Sequence, residues 1–218
     1  METYNVPAKI EALERKIGPC LENIEEESSW NLVKNYQKEG LIIHARPSDK
    51  FSGKIVRGEG LIEASPEECF KHCHPRPELT RTQWDSSIKT LEIAEMIQDQ
   101  GWPEVYLLRT TTHSAGMGLI SQRDFLDLII NVNNDKMVGT MAESIASEKC
   151  PPHKDYVRGT NHYCGILCCR LPGEPNRTRL VYIAHSEIGG RLPVSVVNAA
   201  VPNAIYNFYA ALKKQVAK

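Results

Sequence analysis

No stretch of this 218-residue chain approaches the ~18 consecutive apolar residues needed to span a bilayer. Net charge is nearly absent as well. The 26 Lys and Arg stand against 27 Asp and Glu, leaving −1, so no basic field is available to hold a phosphate backbone and nucleic acid is not expected as a partner. Met1 to Ile17 alternates charged and apolar residues and lacks the continuous apolar run of a secretory signal. The expected compartment is therefore the cytoplasm. The seven cysteines are an odd count without a secretory route, and they read as reduced, mostly buried thiols. Asn176-Arg177-Thr178 is then only a polar turn, not a glycosylation site. Repeats and linkers are missing too, and one domain over residues 1–218 with a substantial core is expected.

What is present falls into three parts. Ala8 to Ile24 has the period of an amphipathic helix, with Ile10, Leu13, Ile17, Leu21 and Ile24 recurring every three to four residues. The acidic run Glu25-Glu26-Glu27 reads as its solvated end. From Trp30 the pattern changes to strands over Leu32 to Tyr36, Leu41 to Arg46 and Ile55 to Ile62, punctuated by Gly and Pro. Ser65 and Pro66 open a short helix running to about Cys73. Longer strands follow over Ile88 to Gln98, Glu104 to Thr112, Asp124 to Asn133, Met137 to Ser147, Tyr156 to Leu171 and Arg179 to Ser186. Asn133 to Lys136 and Leu171 to Pro175 are turns. After Gly189-Gly190 a terminal helix is expected over about 193–216, with Val194, Val197, Val201, Ile205, Phe208 and Leu212 near the 3.6 spacing and a kink at Pro202.

The stretch from Thr110 to Val132 is the most telling. Thr110-Thr111-Thr112 runs into a Gly-containing loop, His113 to Ile120, that carries Met117, Leu119 and Ile120 before Ser121-Gln122-Arg123-Asp124-Phe125 opens the next strand. Exposed apolar residues in a loop between strands suggest a gate over a cavity or a contact with a membrane. In the strand that follows, Leu126, Leu128, Ile130 and Val132 form a wholly apolar face. Val138, Thr140, Ala142, Ser144 and Ala146 form a row of small or hydroxylated residues where a solid core would carry Leu or Ile. Such a row allows either close packing of the terminal helix or a cavity. Three hydroxyls sharing one interior, Thr110, Thr112 and Thr140, favour a mostly apolar pocket with a few placed polar groups.

Five motifs in order, Arg81-x-x-Trp84-Asp85, Ile120-Ser121-Gln122-Arg123-Asp124-Phe125, Tyr156-Val157-Arg158-Gly159, Asn161-His162-x-Cys164-Gly165 and Gly190-x-Leu192-Pro193, resemble a StAR-related lipid transfer (START) domain. Among its members the chain is most similar to the small, cytosolic, single-domain carriers of sterols and bile acids. The resemblance covers about Trp30 to Leu212. It implies an α+β helix-grip fold, a curved antiparallel β-sheet around a long C-terminal helix that encloses one lipid. It also assigns His113 to Gln122 to the mobile loop at the cavity entrance. Two departures stand out. Most members have Pro where this chain has Gln122; the ceramide-carrying branch also has Gln there. The acid and arginine that face each other in steroidogenic cholesterol carriers fall here near Thr110 and Ile129, so that pair is missing. Polar recognition then passes to Arg81 and Asp85, whose positions line the cavity in the ceramide branch.

The expected lipid-binding residues are therefore Arg81, Asp85, Thr110, Thr112, Met117, Leu119, Leu126, Leu128, Thr140, Val197, Val201, Ile205 and Phe208. Each has a plainer alternative. Arg81 and Asp85 are spaced as an ordinary i,i+4 surface pair, Met117 and Leu119 could anchor the loop in the core, and Arg123 with Asp124 reads as a structural salt bridge at the loop base. Cys69-x-x-His72-Cys73-His74 lacks the second half of a zinc site. His162 and Cys164 lack the third member and oxyanion donors of a nucleophilic site. No cofactor, metal or catalytic residue is expected. The reading is a monomeric, non-enzymatic carrier of one hydrophobic small molecule, sterol- or bile-acid-like, exchanged through the 113–122 loop and the terminal helix during transient contact with membranes. Its alternatives are a carrier of ceramide, carotenoid or another lipid, a lipid-sensing adaptor, and a helix-grip enzyme.

Overall fold

The computed structural model describes residues 5–22 and 29–218. The expected Ile24 and the acidic run at 25–27 lie outside these. Helix α1 spans Val6–Ile17, opened by the Asn5 side chain, which accepts from the Ala8 amide. It ends earlier than its apolar period suggests. Gly18-Pro19 follows, Pro19 has no amide to continue the ladder, and the chain tightens into a 3-10 turn over Gly18–Cys20.

Ten strands form one sheet. They are β1 (Asn31–Tyr36), β2 (Leu41–Pro47), β3 (Lys54–Ile62), β4 (Ile88–Gln98), β5 (Glu104–Thr112), β6 (Arg123–Asn133), β7 (Met137–Ser144), β8 (Val157–Arg158), β9 (Thr160–Arg170) and β10 (Thr178–Glu187). Between β3 and β4 lie helix α2 (Pro66–Cys73) and the single turn α3 (Arg81–Trp84). The long helix α4 (Val194–Val216) follows β10. The order across the sheet is β1-β2-β3-β10-β9-β7-β6-β5-β4, all antiparallel, with β8 adding parallel to β6. The expected antiparallel α+β helix-grip architecture is therefore present. The expected strand from Tyr156 divides at Gly159, because its first two residues pair with β6 rather than with β7 or β10.

Local chemistry accounts for the boundaries. Ser65 Oγ accepts from the Glu68 amide at 3.2 Å, Pro66 fills the first turn, acids follow it and Lys71 and His72 sit in the last turn, each favourable to the helix dipole. Asn134 closes the β6–β7 hairpin by accepting from the Lys136 and Met137 amides. Register shifts at three places along β4 bend this edge strand, as bulges do.

Alternation gives the sheet two different faces. On the outer face Leu126, Leu128, Ile130 and Val132 pack with Val105, Leu107 and Leu167 beneath Leu13 and Ile17 of α1. On the inner face Leu41, Ile43, Val138 and Ile166 pack against Ile205, Phe208, Tyr209 and Leu212 of α4, with Cys69, Phe70 and Cys73 of α2. Ile88, Leu91, Tyr106, Leu108, Ile129 and Ala142 continue this side toward β4. Leu126 and Leu128 are thus corrected as cavity residues. Their wholly apolar face is the one that α1 buries.

The grip of α4 is tightest over β3. A Cβ on Gly58 would overlap Ile205, and one on Gly60 would come within 2.6 Å of Tyr209 Cζ. Tyr209 also donates to the Leu61 carbonyl at 2.7 Å, Lys213 Nζ to the Glu39 carbonyl at 3.0 Å, and Tyr206 stacks on Tyr36 at 4.3 Å. The helix runs unbroken through Pro202. Gly58→Ala is expected to lower stability by about 1–3 kcal/mol through overpacking, measured by urea unfolding. An unchanged midpoint would show that α4 is not held at this point.

Candidate functional site

The N-terminal half of α4 is held less closely than its C-terminal half. Its exposed stripe of Ser195, Ala199, Asn203 and Asn207, each about one turn from the next, with Ala204 beside Asn203, faces the loop between β5 and β6. Between them lies a groove of about 780 Å³ whose walls are this stripe and residues 113–117, 119 and 120. Its floor is Asp85, Ser86, Ser87, Thr112, Arg123, Phe125, Ile188 and Phe208. Pockets for small molecules range over roughly 300–1,000 Å³, so the groove has room for one multi-ring or long-chain ligand.

Backbone geometry shapes the loop. Ala115 and Ile120 exchange backbone hydrogen bonds at 2.9 and 3.1 Å, closing it into a tight lobe. Gly116, Met117 and Gly118 all have positive φ, at 59°, 56° and 89°. A left-handed methionine is uncommon and costs of order 1–2 kcal/mol. Met117 is fully exposed and Leu119 largely so, while Ile120 is buried. Ile120 is the anchor of the lobe, and Met117 and Leu119 are its apolar surface.

The loop stands on a charged base. Arg158 donates to both oxygens of the fully buried Asp124, at 3.0 and 2.8 Å, and Arg109 donates at 2.9 Å. Burial pushes the Asp124 carboxyl up, but the two guanidiniums outweigh it and hold it below its usual range. Arg123 does not pair with Asp124, because consecutive strand residues point to opposite faces. It lies on the groove side and donates to the carbonyls of Ser121, Ile188 and Gly189. The two residues expected to form one structural bridge thus do separate jobs.

The other expected site residues are distributed unevenly. Asp85, Thr112, Met117, Leu119, Val201 and Phe208 line the groove. Arg81 sits behind Asp85, bonded to it at 3.3 Å and to the Cys73 carbonyl at 3.1 Å, with Phe208 over its guanidinium. This is a buried ion pair, not the exposed one that i,i+4 spacing allows. Asp85 also accepts from the Ser87 amide and hydroxyl. Thr110 is half-buried on the inner face but off the groove wall. Thr140 gives its hydroxyl to Asn131 at 2.6 Å, within a cluster of Glu104, Tyr106 and His74 at the far end of the sheet. Val197 lines smaller clefts beside β2 and β3, and Ile205 is fully packed on Gly58.

His162 and Cys164 do not meet. A bulge opposite His185 and Ser186 lets His162 stack on Phe51 and tilt against His185, while Cys164 bonds Ser186 at 3.3 Å on the inner face. His72 pairs with Glu68 and His74 with Glu104, and the described residues hold no cluster of three metal-capable side chains. Sequence reasoning also missed part of the groove. Ser195, Ala199, Asn203 and Asn207 repeat every four residues, but small and polar residues on a helix look like a solvated face. Ile188 lies in a glycine-flanked connection and carries no pattern of its own.

The START domain profile matches residues 19–218. The chain belongs to the START family. StAR-related lipid transfer protein 5 of Bos taurus is 39% identical over 194 residues, covering 88% of each chain. Human StAR-related lipid transfer protein 4 is 28% identical over 189 residues, covering 87% of each. The solved structure of human StAR-related lipid transfer protein 5 aligns over 96% of both chains with a TM-score of 0.84 and 33% identity. This START chain is therefore of the lipid-binding and lipid-transfer kind, and its groove lies between two elements of a fold shared with those proteins.

One step deeper than Phe125, Asp127 sits on the inner face among Ser144, which donates at 2.6 Å, and Asn161, which donates at 2.8 Å. Burial pushes its carboxyl up to about 6, against those two hydrogen bonds. A carboxyl whose folded pKa is raised holds its proton more tightly when folded. Its contribution to stability is greatest below the unfolded pKa near 4 and falls as pH rises through 6. Relative to Asp127→Asn, the wild type is expected to lose about 2–3 kcal/mol between pH 4 and pH 7, read from urea unfolding of both at each pH. A pH-independent difference would show that Asp127 is ionised normally.

Proposed function

We propose that this START chain binds one sterol- or bile-acid-like molecule in the groove and exchanges it at membrane surfaces. The observation that carries the reading is the pairing of a roomy, largely apolar groove with two exposed apolar residues at its rim. Burying the rings of a steroid there supplies the driving force, at about 25 cal/mol per Å². Asp85, Ser86, Ser87 and Thr112 are available to hydroxyl groups of the ligand. Met117 and Leu119 would enter the lipid surface while the loop lifts from α4, so that the ligand passes between phases without crossing water. The net charge of −1 suits weak, reversible attachment.

In this reading the chain works as a monomer in the cytoplasm, without a cofactor. The carrier reading is preferred over an enzyme because Asp85, at the groove, is already held by Arg81 and Ser87, and His162 lies on the other face. Two variants separate gate from pocket. Met117→Asp is expected to slow sterol transfer between vesicles about tenfold with a smaller loss of equilibrium binding. Ala204→Trp, on the exposed groove wall, is expected to abolish binding with stability changed by less than about 0.5 kcal/mol. Transfer that is indifferent to both would defeat the reading.

A further inference from the structure

His185 is fully buried where the end of β10 and the start of β9 meet the loop between β2 and β3. Its Nε2 lies 2.7 Å from the Ser48 hydroxyl. That hydroxyl also accepts from the Lys50 amide at 3.0 Å and from the Phe51 amide at 3.3 Å. A serine hydroxyl has one hydrogen to give and two lone pairs to receive. The loop amides use both lone pairs, so the hydrogen goes to His185 and Nε2 is bare. The proton of the neutral ring is then on Nδ1, which is buried and has no acceptor among the described residues.

The same loop is folded around Phe51. The Ser48 amide donates to the Gly53 carbonyl at 2.9 Å, and the Gly53 amide to the Phe51 carbonyl at 2.8 Å. A Cβ on Gly53 would overlap the Phe51 ring. The ring stacks on both histidines, 5.4 Å from His162 and 5.6 Å from His185. It also lines two small clefts shared with Val197 and Asn198, early in α4. Phe51 thus stands between a histidine pair and the less closely held half of the helix.

A proton added at Nε2 turns an acceptor into a donor. It would face a hydroxyl whose lone pairs are both taken, so one loop amide must let go. The surroundings resist the charge. Burial pushes the His185 imidazole down to about 4, His162, Arg46 and Lys50 act in the same direction, and Asp49 acts against them. Tyr163, edge-on at 4.5 Å, is neutral, its phenol pushed up to about 12 by burial, and Glu187 sits toward His162 at 3.6 Å. A histidine held below its unfolded value of about 6.5 stabilises the closed loop above that pH. The stabilisation is lost as pH falls toward 4.

We propose that His185 and Ser48 form a proton-operated latch on the β2–β3 loop. Protonation of His185 breaks the turn at Ser48, frees Phe51 and withdraws its support from the first turns of α4. The latch needs no ligand and stands or falls independently of the steroid-carrier reading. Its sign is opposite to that of Asp127, whose contribution grows toward acid, so the loop opens in the range where β6 is held more firmly.

Nitrogen-15 NMR of the imidazoles at pH 7 reads the tautomer. A protonated Nδ1 and a bare Nε2 are expected for His185, and a protonated Nε2 overturns the proposal. Amide hydrogen exchange, normalised to the unstructured rate at each pH, reads the opening. Exchange over residues 48–53 is expected to rise about twentyfold from pH 7 to pH 5, with residues 194–201 following and β5 unchanged. His185→Gln keeps an acceptor near Nε2 but takes up no proton, and its loop should show no such rise. Ser48→Ala removes only a hydroxyl at a half-buried loop position, and its loop should exchange faster already at pH 7. A wild-type loop indifferent to pH, or a Ser48→Ala loop as protected as wild type at pH 7, overturns the latch. A rise kept in His185→Gln but lost in His162→Gln places the proton on His162, and the assignment fails. Loss of protection throughout β5 at pH 5 marks global acid unfolding instead of a local latch, and the proposal fails with it.

Discussion

The close approach of α4 to Gly58 and Gly60 sets the geometry on which the groove depends. Because β3 presents no side chains at these two positions, Ile205 and Tyr209 sink against the sheet, and the C-terminal half of the helix is fixed by Tyr209, Lys213 and the Tyr36–Tyr206 stack. A helix held this tightly at one side of the sheet leaves the strands at the other less closely covered. The space left over lies toward β5, β6 and their connecting loop. The groove is thus the part of the concave face that one helix cannot fill, and the loop is the element that roofs it.

The loop meets two opposing demands. It must hold its shape without a core of its own and, in the proposed exchange, it must be able to leave. Ile120, the Ala115–Ile120 bridge and the Asp124 cluster satisfy the first. Exposed Met117 and Leu119, with Met117 in a left-handed conformation, would serve the second in that proposal, since a lipid surface would bury what water leaves exposed. The charges are divided accordingly. The fully neutralised carboxylate is on the outer face, where it ties strands together. The Arg123 guanidinium is on the inner face, bonded to the carbonyls of Ser121, Ile188 and Gly189.

Much of this was legible in the sequence, for physical reasons that differ by element. The strands and α4 show through period and turn chemistry, and Ser65, Asn134 and the glycines act locally, so their effects are readable from neighbours alone. The exposure of Met117 and Leu119 followed from an apolar loop being out of place between strands. Which face of β6 is inward was not legible. An apolar run at every second residue states that a face is buried but not by which helix, and α1 took Leu126 and Leu128. Hydroxyls were equally ambiguous, since Thr112 reached the groove while Thr140 was consumed by Asn131. The division of labour between Arg123 and Asp124 is invisible in a motif, because it depends on the carbonyls of Ile188 and Gly189, some 65 residues away.

Relatives of the START family share the frame in which this groove sits. The account's central claim is that one ligand lies between residues 113–120 and the exposed face of α4. Hydrogen–deuterium exchange on a steroid complex shown to be 1:1 by native mass spectrometry tests it most directly. The account predicts slowed exchange in the loop and in the first three turns of α4, with α1 and the β1–β2 edge unchanged. Protection confined to α1 and the outer face, or an unaltered loop in a fully loaded complex, would contradict it.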